Sequence, residues 1–284
     1  MSEARKCRIG IVGYGHVGAY LVNQIQSEGD KYNVELAFVW NRTMTKMEPN
    51  VAPPLQLQNL EEFEKREVDL IVEVAHPSIT RTYGERFLCA AHLLVGSPTA
   101  LADEETERRL RRRAKLSGYT LYIPSGALWG GEDIMKMAAR ETLRGLKITM
   151  TKHPKSFKLE GKLAEADLST IRERTVLYEG PTRSLCEMAP NNVNTMAAAS
   201  LAAHNLGFDK VIGVLVADPS IPDWHLVDIE VTGETNGTTG QVFSVTTRRR
   251  NPAAPGAVTG TATFGSFWSS ILVCKGHGGQ VFLC

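Results

Sequence analysis

The chain has 284 residues, 43% of them hydrophobic and 22% charged, and its 32 Lys and Arg nearly cancel its 31 Asp and Glu to leave +1. That length holds one large domain or two modest ones, and a core of this size folds without a disulfide or metal staple. The near-zero charge offers no cation excess to displace phosphate counterions, which argues against a nucleic-acid partner. Apolar runs such as Val211–Ala217 fall far short of the ~20 residues that span a bilayer, so no membrane partner is expected.

Arg8–Val12 is a short β-branched strand that ends in Gly13-Tyr14-Gly15-His16-Val17-Gly18. Behind it Val17, Leu21, Val22 and Ile25 recur at helical spacing, and Val34–Trp40 reads as a second strand, completing a βαβ unit. The alternation continues through a strand at Asp69–Ala75, a helix at Ile79–Ala91, a strand at Leu93–Gly96, a helix at Asp103–Ser117 and a strand at Tyr119–Ile123. Continuous apolar strands alternating with helices predict a parallel sheet covered on both faces. In the helix Asp103–Ser117, acids lead and the run Arg108–Arg113 trails, the order a solvated helix face favours.

After Pro124 the pattern changes. A helix at Glu132–Leu143 is followed by strands at Leu146–Thr151, Thr175–Glu179, Val211–Ala217, Leu226–Thr232 and Gln241–Thr247, with Gly-rich turns that predict an antiparallel or mixed sheet. Between them an Ala-rich helix spans Asn194–Leu206, with Gly207 as its C-cap, and Ala257–Cys274 reads as a last helix. The expected architecture is α/β. It is a Rossmann-type doubly wound parallel sheet over residues 1–124, joined to an α+β substrate and dimerisation domain over 125–256, with helix 257–274 packing back on the first.

A Gly-x-Gly-x-x-Gly turn between strand and helix is the dinucleotide-binding arrangement. Gly13 permits the tight turn, Gly15 lets backbone N–H groups reach a pyrophosphate, and Gly18 lets helix and strand pack closely. NAD binders carry an acid at the end of the second strand to hold the ribose 2′-OH. Here that place holds Asn41, which does not repel a 2′-phosphate, and Arg42, which can pair with one, so both NADP and NAD are expected cofactors. Ligands in such sheets lie beyond the carboxyl ends of the strands, which places Ala75, His76 and Pro77 beside the nicotinamide; Pro77 also reads as the first residue of a helix.

Five cysteines (Cys7, Cys89, Cys186, Cys274 and Cys284) show no paired spacing, so no metal site and no disulfide framework is expected. Free thiols, together with an amino-terminal stretch Met1–Arg8 that lacks an apolar leader, make the cytoplasm the expected compartment.

Gly13–Gly18, Glu73-Val-Ala-His-Pro77, Ser125-Gly-Ala127 with Gly130–Asp133, Asn192-Val-Asn194 and Ala217-Asp-Pro219 with His225 occur in the order found in L-aspartate dehydrogenases. The chain resembles that family over nearly its whole length, and its animal members most in Phe38–Arg42 and in Gly207–Asp218. The resemblance implies oxidative deamination of L-aspartate to oxaloacetate and ammonia through iminoaspartate, or the reverse amination. It also implies a homodimer, cofactor contacts from Ala127 and Asn194, and His225 as the catalytic residue. Two departures stand out. The stretch from Asp218 to His225 is a residue short, and Lys152-His-Pro154 replaces a basic residue followed by two prolines, where the clamp for the substrate carboxylates is expected.

The residue types suit that chemistry, since histidine is the side chain that exchanges protons near neutrality, and His225 is expected in a loop projecting into a cleft. Asn194 also reads as the N-cap of the Ala-rich helix. Two other functions fit the glycine turn: a different two-domain NAD(P) oxidoreductase of the homoserine dehydrogenase kind, and a non-catalytic NADP-binding regulator that needs no His225.

Overall fold

A computed structural model describes residues 5–284. The first half alternates strand and helix: β1 (Cys7–Val12), α1 (His16–Tyr32), β2 (Val34–Trp40), β3 (Leu70–Glu73), α2 (Pro77–Ala90), β4 (His92–Val95), α3 (Glu104–Ser117) and β5 (Leu121–Ile123). Ile9, Ile11, Val12, Ile71, Val72 and Leu93–Val95 are all fully buried, as strands covered on both faces require. Helix α1 buries Leu21, Val22 and Ile25 on one face and stops where Asn33 takes a left-handed conformation. Helix α3 starts at Asp103, whose carboxylate accepts from the Thr106 N–H, and stops at Gly118 with φ +78°. Two of its arginines pair with its own acids, Arg108 with Glu105 and Arg111 with Glu107, as its solvated charge pattern predicts, while Arg109 pairs with Glu85 on α2.

The second half runs α4 (Gly131–Ala139), β6 (Gly145–Lys152), β7 (Thr175–Pro181), α5 (Thr182–Met188), α6 (Asn194–Ala202), α7 (Gly207–Lys210), β8 (Ile212–Ala217), β9 (Trp224–Thr235), β10 (Val242–Pro252), α8 (Ala262–Val273) and β11 (Val281–Leu283). The sheet order is β10-β9-β6-β8-β7, with β6 and β8 parallel and the remaining neighbours antiparallel, which is the mixed sheet expected. Helix α6 is buried on every side from Thr195 to Ala202, because small alanines let neighbours close on it all round.

The chain then returns to its first sheet. Helix α8 lies on α1, with the Tyr20 and Phe264 rings 5.5 Å apart and Trp268 edge-on to Tyr32. Strand β11 adds to β5 in parallel, making the six-stranded order β11-β5-β4-β3-β1-β2. That sixth strand is absent from the sequence reading. Among the described residues no helix is long and apolar enough to cross a membrane.

Several expected boundaries move. Helix α4 stops at Ala139 rather than Leu143, because Glu141 turns left-handed (φ 57°) and Leu143 leaves the helix axis for the core. The Ala-rich helix ends at Ala202, not Leu206, and Gly207 is not its cap. Instead the Leu206 and Gly207 N–H groups both return to the Ala203 carbonyl, and Gly207 (φ +62°) opens α7. Strand β3 gives way at Glu73, where the side chain captures the backbone of the next turn. Strand β10 runs on to Pro252, so Arg248–Arg250 are strand residues.

Candidate active site

The glycine turn sits where β1 meets α1, and the three glycines differ in what surrounds them. A Cβ on Gly13, whose φ is +114°, would lie 2.7 Å from the Val74 carbonyl oxygen and 2.8 Å from the Ala75 backbone. A Cβ on Gly18 would meet the Gly13 carbonyl oxygen at 2.0 Å, whereas one on Gly15 would have no atom within 4 Å. Gly15 is also the N-cap of α1, with no side chain capping it and no acid in the first turn. The first N–H groups of α1 therefore face open space with their partial positive charge, which fits a dinucleotide pyrophosphate.

Around this turn the expected contacts divide. Tyr14 is buried in the core, and its N–H donates to Asn41 Oδ1 at 3.0 Å; Asn41 Nδ2 donates in turn to the Thr43 carbonyl at 2.8 Å. Asn41 thus braces the glycine turn against the end of β2, while His16 and Arg42 are exposed beside it. His76 is the N-cap of α2, its Nδ1 accepting from the Ser78 N–H, and Pro77 is the buried first residue of that helix.

A cleft of about 300 Å³ brings together Val17, Ala75, Ala127, Asn194 and His225 from the expected set. Gly13, Tyr14, Gly15, His16, Gly18, Asn41, Arg42, His76 and Pro77 do not line it. Asn194 is the first residue of α6 and not its cap, which is Val193; its Oδ1 is buried without a hydrogen-bond partner. His225 is also placed differently from expectation. It is the second residue of β9, buried and only 4% exposed, rather than part of a projecting loop.

Its surroundings come from three strands. Thr151 pairs with Leu226 and Asn251 with His225, so Lys152 at the end of β6 and Asn251 on β10 flank the imidazole. Lys152 is 2% exposed, and its Nζ donates to the Val258 carbonyl at 2.9 Å. Burial pushes the Lys152 ammonium down to about 7. Burial, and after it the positive charge of Lys152, together push His225 down to about 4 against the opposing effect of the Ala257 backbone. The ring is therefore neutral at pH 7. Its Nε2 is buried and without a hydrogen-bond partner, which leaves that nitrogen able to accept a proton.

Behind Asn251, Arg249 Nε donates to Asn251 Oδ1 at 2.7 Å and its Nη1 to the Gly126 carbonyl at 3.1 Å. That arginine ties β10 to the turn carrying Ala127. Asn192 makes a second tie, its Oδ1 accepting from the Lys158 N–H and its Nδ2 donating to the Ser156 carbonyl. The sequence reading assigned no role to Asn251, Arg249 or the cleft-lining segment Val258–Gly260. It also gave no role to Glu73, a fully buried carboxylate whose sequence signals are an acid within an apolar strand and its place at the head of the Glu73–Pro77 segment.

Comparison with known proteins places these elements. Residues 13–124 match the family profile described as homoserine dehydrogenase, NAD binding domain, and residues 133–270 match aspartate dehydrogenase, C-terminal. The chain is 67% identical to an aspartate dehydrogenase domain-containing protein of Xenopus tropicalis, over all of both chains. It is 31% identical to an L-aspartate dehydrogenase of Methanococcoides burtonii, covering 87% of this chain and 89% of the relative. The crystal structure of aspartate dehydrogenase from Thermotoga maritima shares the fold, with TM-score 0.68, 21% identity and 94% of each chain covered.

The contrast between Gly15 and Gly18 is testable. Gly18→Ala should lose ~1–3 kcal/mol or more in urea denaturation, since its methyl meets backbone that cannot move aside. Gly15→Ala should stay within ~0.5 kcal/mol of the parent yet lose binding of NADPH in a fluorescence titration. A Gly15→Ala protein that binds NADPH like the parent would remove the turn from the site.

Proposed function

The chain belongs to the aspartate dehydrogenase family, and on that footing we propose that it is an NAD(P)-dependent L-aspartate dehydrogenase. It converts L-aspartate and water to oxaloacetate and ammonia through iminoaspartate, or runs the reverse amination. The observation that carries this reading is the buried, unpartnered Nε2 of His225, a residue that lines the cleft together with Lys152. The bound nicotinamide dinucleotide supplies the acceptor for the hydride that leaves aspartate Cα. Ala127 and Asn194, across the cleft from the glycine turn, are the residues of the second half that would hold it.

The chain's own groups manage the protons and the substrate charge. His225 Nε2 removes a proton from the substrate ammonium, freeing the nitrogen lone pair to form the C=N bond as the hydride departs. Lys152 holds a substrate carboxylate, an anion matched to an ammonium that otherwise has only a carbonyl partner. That pairing screens the charge that depresses His225, so substrate binding itself makes the imidazole a better base. His225 first gives that proton up to solvent; its neutral Nε2 then takes a proton from the water that adds to the imine carbon and delivers it to the nitrogen, and the second water proton goes to solvent as ammonia leaves and the carbonyl forms.

We further propose that NADP is accepted as well as NAD, because the ribose edge carries Asn41 and the exposed Arg42 instead of an acid. Trp129, Val242, Phe243 and Val245 are exposed on or beside the second sheet, around a hollow of about 570 Å³, which supports a homodimer formed over that face. Five free thiols among the described residues fit a cytoplasmic protein.

Four measurements test the reading. Asn41→Asp should shift the ratio of kcat/KM toward NAD over NADP by ~10-fold, as a carboxylate repels the 2′-phosphate; an unchanged ratio would put the ribose edge elsewhere. His225→Asn should lower kcat with aspartate by ~10²–10⁴-fold while leaving the NADPH dissociation constant near the parent's, and normal turnover in this variant would remove His225 from the mechanism. In the parent, kcat/KM should fall as pH drops toward 4, where the free protein's imidazole protonates. Lys152→Met should raise KM for aspartate ~30-fold or more and move that acid limb to higher pH, because the neighbouring positive charge is gone. An acid limb that stays in place in Lys152→Met would show that the two groups do not interact.

A further inference from the structure

Glu73 closes β3 with no part of it exposed, and its carboxylate is surrounded by donors. Oε1 accepts from the Ala75 N–H at 2.8 Å, the His76 N–H at 2.9 Å and Ser97 Oγ at 3.2 Å; Oε2 accepts from Thr80 Oγ1 at 3.0 Å and the Ser97 N–H at 3.2 Å. Three of these donors are backbone N–H groups that cannot turn away, so the site is built for an anion. Among the described residues no Lys, Arg or His forms an ion pair with it. Two of the residues it holds, Ala75 and Ser97, line the cleft on the side of the glycine turn.

We propose that Glu73 is a fixed buried anion beneath the nicotinamide end of the cleft, and that it makes the protein bind oxidised dinucleotide in preference to reduced. The inference rests on the reading of the cleft as a dinucleotide site. An oxidised nicotinamide ring carries a positive charge and a reduced one carries none, so a nearby uncompensated anion stabilises only the former. Its donors are all neutral, and the charge they stabilise is still an anion toward its surroundings. By linkage the same preference favours hydride donation by the bound cofactor, which in this family means amination of the keto acid. Burial pushes the carboxyl up to about 7 against the five hydrogen bonds, so the group is charged at pH 8, where the test belongs.

The experiment is equilibrium binding of NADP⁺, by calorimetry, and of NADPH, by fluorescence, to the full chain at pH 8. Glu73→Gln keeps the shape and removes the charge. It should weaken NADP⁺ relative to NADPH by about tenfold, the order a unit charge exerts across a layer of protein. Glu73→Asp should hold the parental ratio even where both affinities fall. If Glu73→Gln weakens both forms equally, or neither, Glu73 only shapes the turns and the proposal is overturned. If Glu73→Gln fails to fold by circular dichroism, Thr80→Val takes its place. It removes one donor from Oε2 without touching the cleft, which leaves more of the carboxyl protonated and uncharged at pH 8, and should move the ratio the same way by a few-fold; an unmoved ratio there overturns the proposal. If the parent binds neither form, the dinucleotide reading itself falls, an outcome distinct from an unmoved ratio.

Discussion

The cleft depends on how closely the backbone turns at the carboxyl ends of β1, β3 and β4 press on one another. A side chain at Gly13 would collide with the Val74 carbonyl and Ala75, and one at Gly96 would lie 2.5 Å from the Glu73 carbonyl oxygen. Without those two methyl groups, the three turns meet backbone to backbone. Glu73 can then reach Ala75 and His76 in its own turn and Ser97 in the next. The rim of the parallel sheet is therefore a single hydrogen-bonded unit, and it forms only because close approach comes first.

The second sheet contributes the opposite electrostatic character. Lys152 is a buried amine that donates a hydrogen bond to the Val258 carbonyl, and beside it stands a neutral histidine with an unsatisfied nitrogen. Neither arrangement serves stability, since a buried charge without an anion costs free energy and a buried acceptor without a donor does as well. Such groups persist where a ligand completes them. A dicarboxylate substrate carries what both lack: an anion for Lys152 and a proton-bearing nitrogen for His225. The cleft thus has a negative group under one wall and a positive one in the other, complementary to a cationic ring and an anionic substrate.

How much of this was legible from the residues follows from which forces are local. The glycine turn, its flanking strands and the helix α1 rest on short-range sterics and periodicity, so they could be read directly. Strand β11 could not, because its three residues pair with a strand some 160 positions earlier and carry no turn signal of their own. The helices α4 and α6 run short of their apolar patterns because tertiary contacts, the burial of Leu143 and the Ala203 turn, end them before any breaker residue does. His225 and Lys152 were both visible as residue types. Their burial, and hence their mutual effect on protonation, follows from the pairing of β6 with β9. Glu73 looked like an interior residue of a strand running to Ala75; its five donors come from α2 and two turns.

The path of the final segment explains why the two walls keep a fixed separation. From Pro252 the chain leaves the second sheet, lines the cleft with Val258, Thr259 and Gly260, and then enters α8 against α1. At Gly260 even a methyl group would press on Asn251 at 3.2 Å, with His225 Nδ1 at 3.8 Å. Past α8 the same chain adds β11 to the parallel sheet next to β5, whose end leads into the Ser125–Ala127 turn. The covalent thread that supplies the carbonyls facing Lys152 and His225 is thus anchored at one end to β9 and at the other to both α1 and β5. A shift of either sheet would strain that thread. The segment that lines the cleft is thus tied, by chain connectivity as well as by packing, to the sheet that carries His225 and to the sheet that carries the glycine turn.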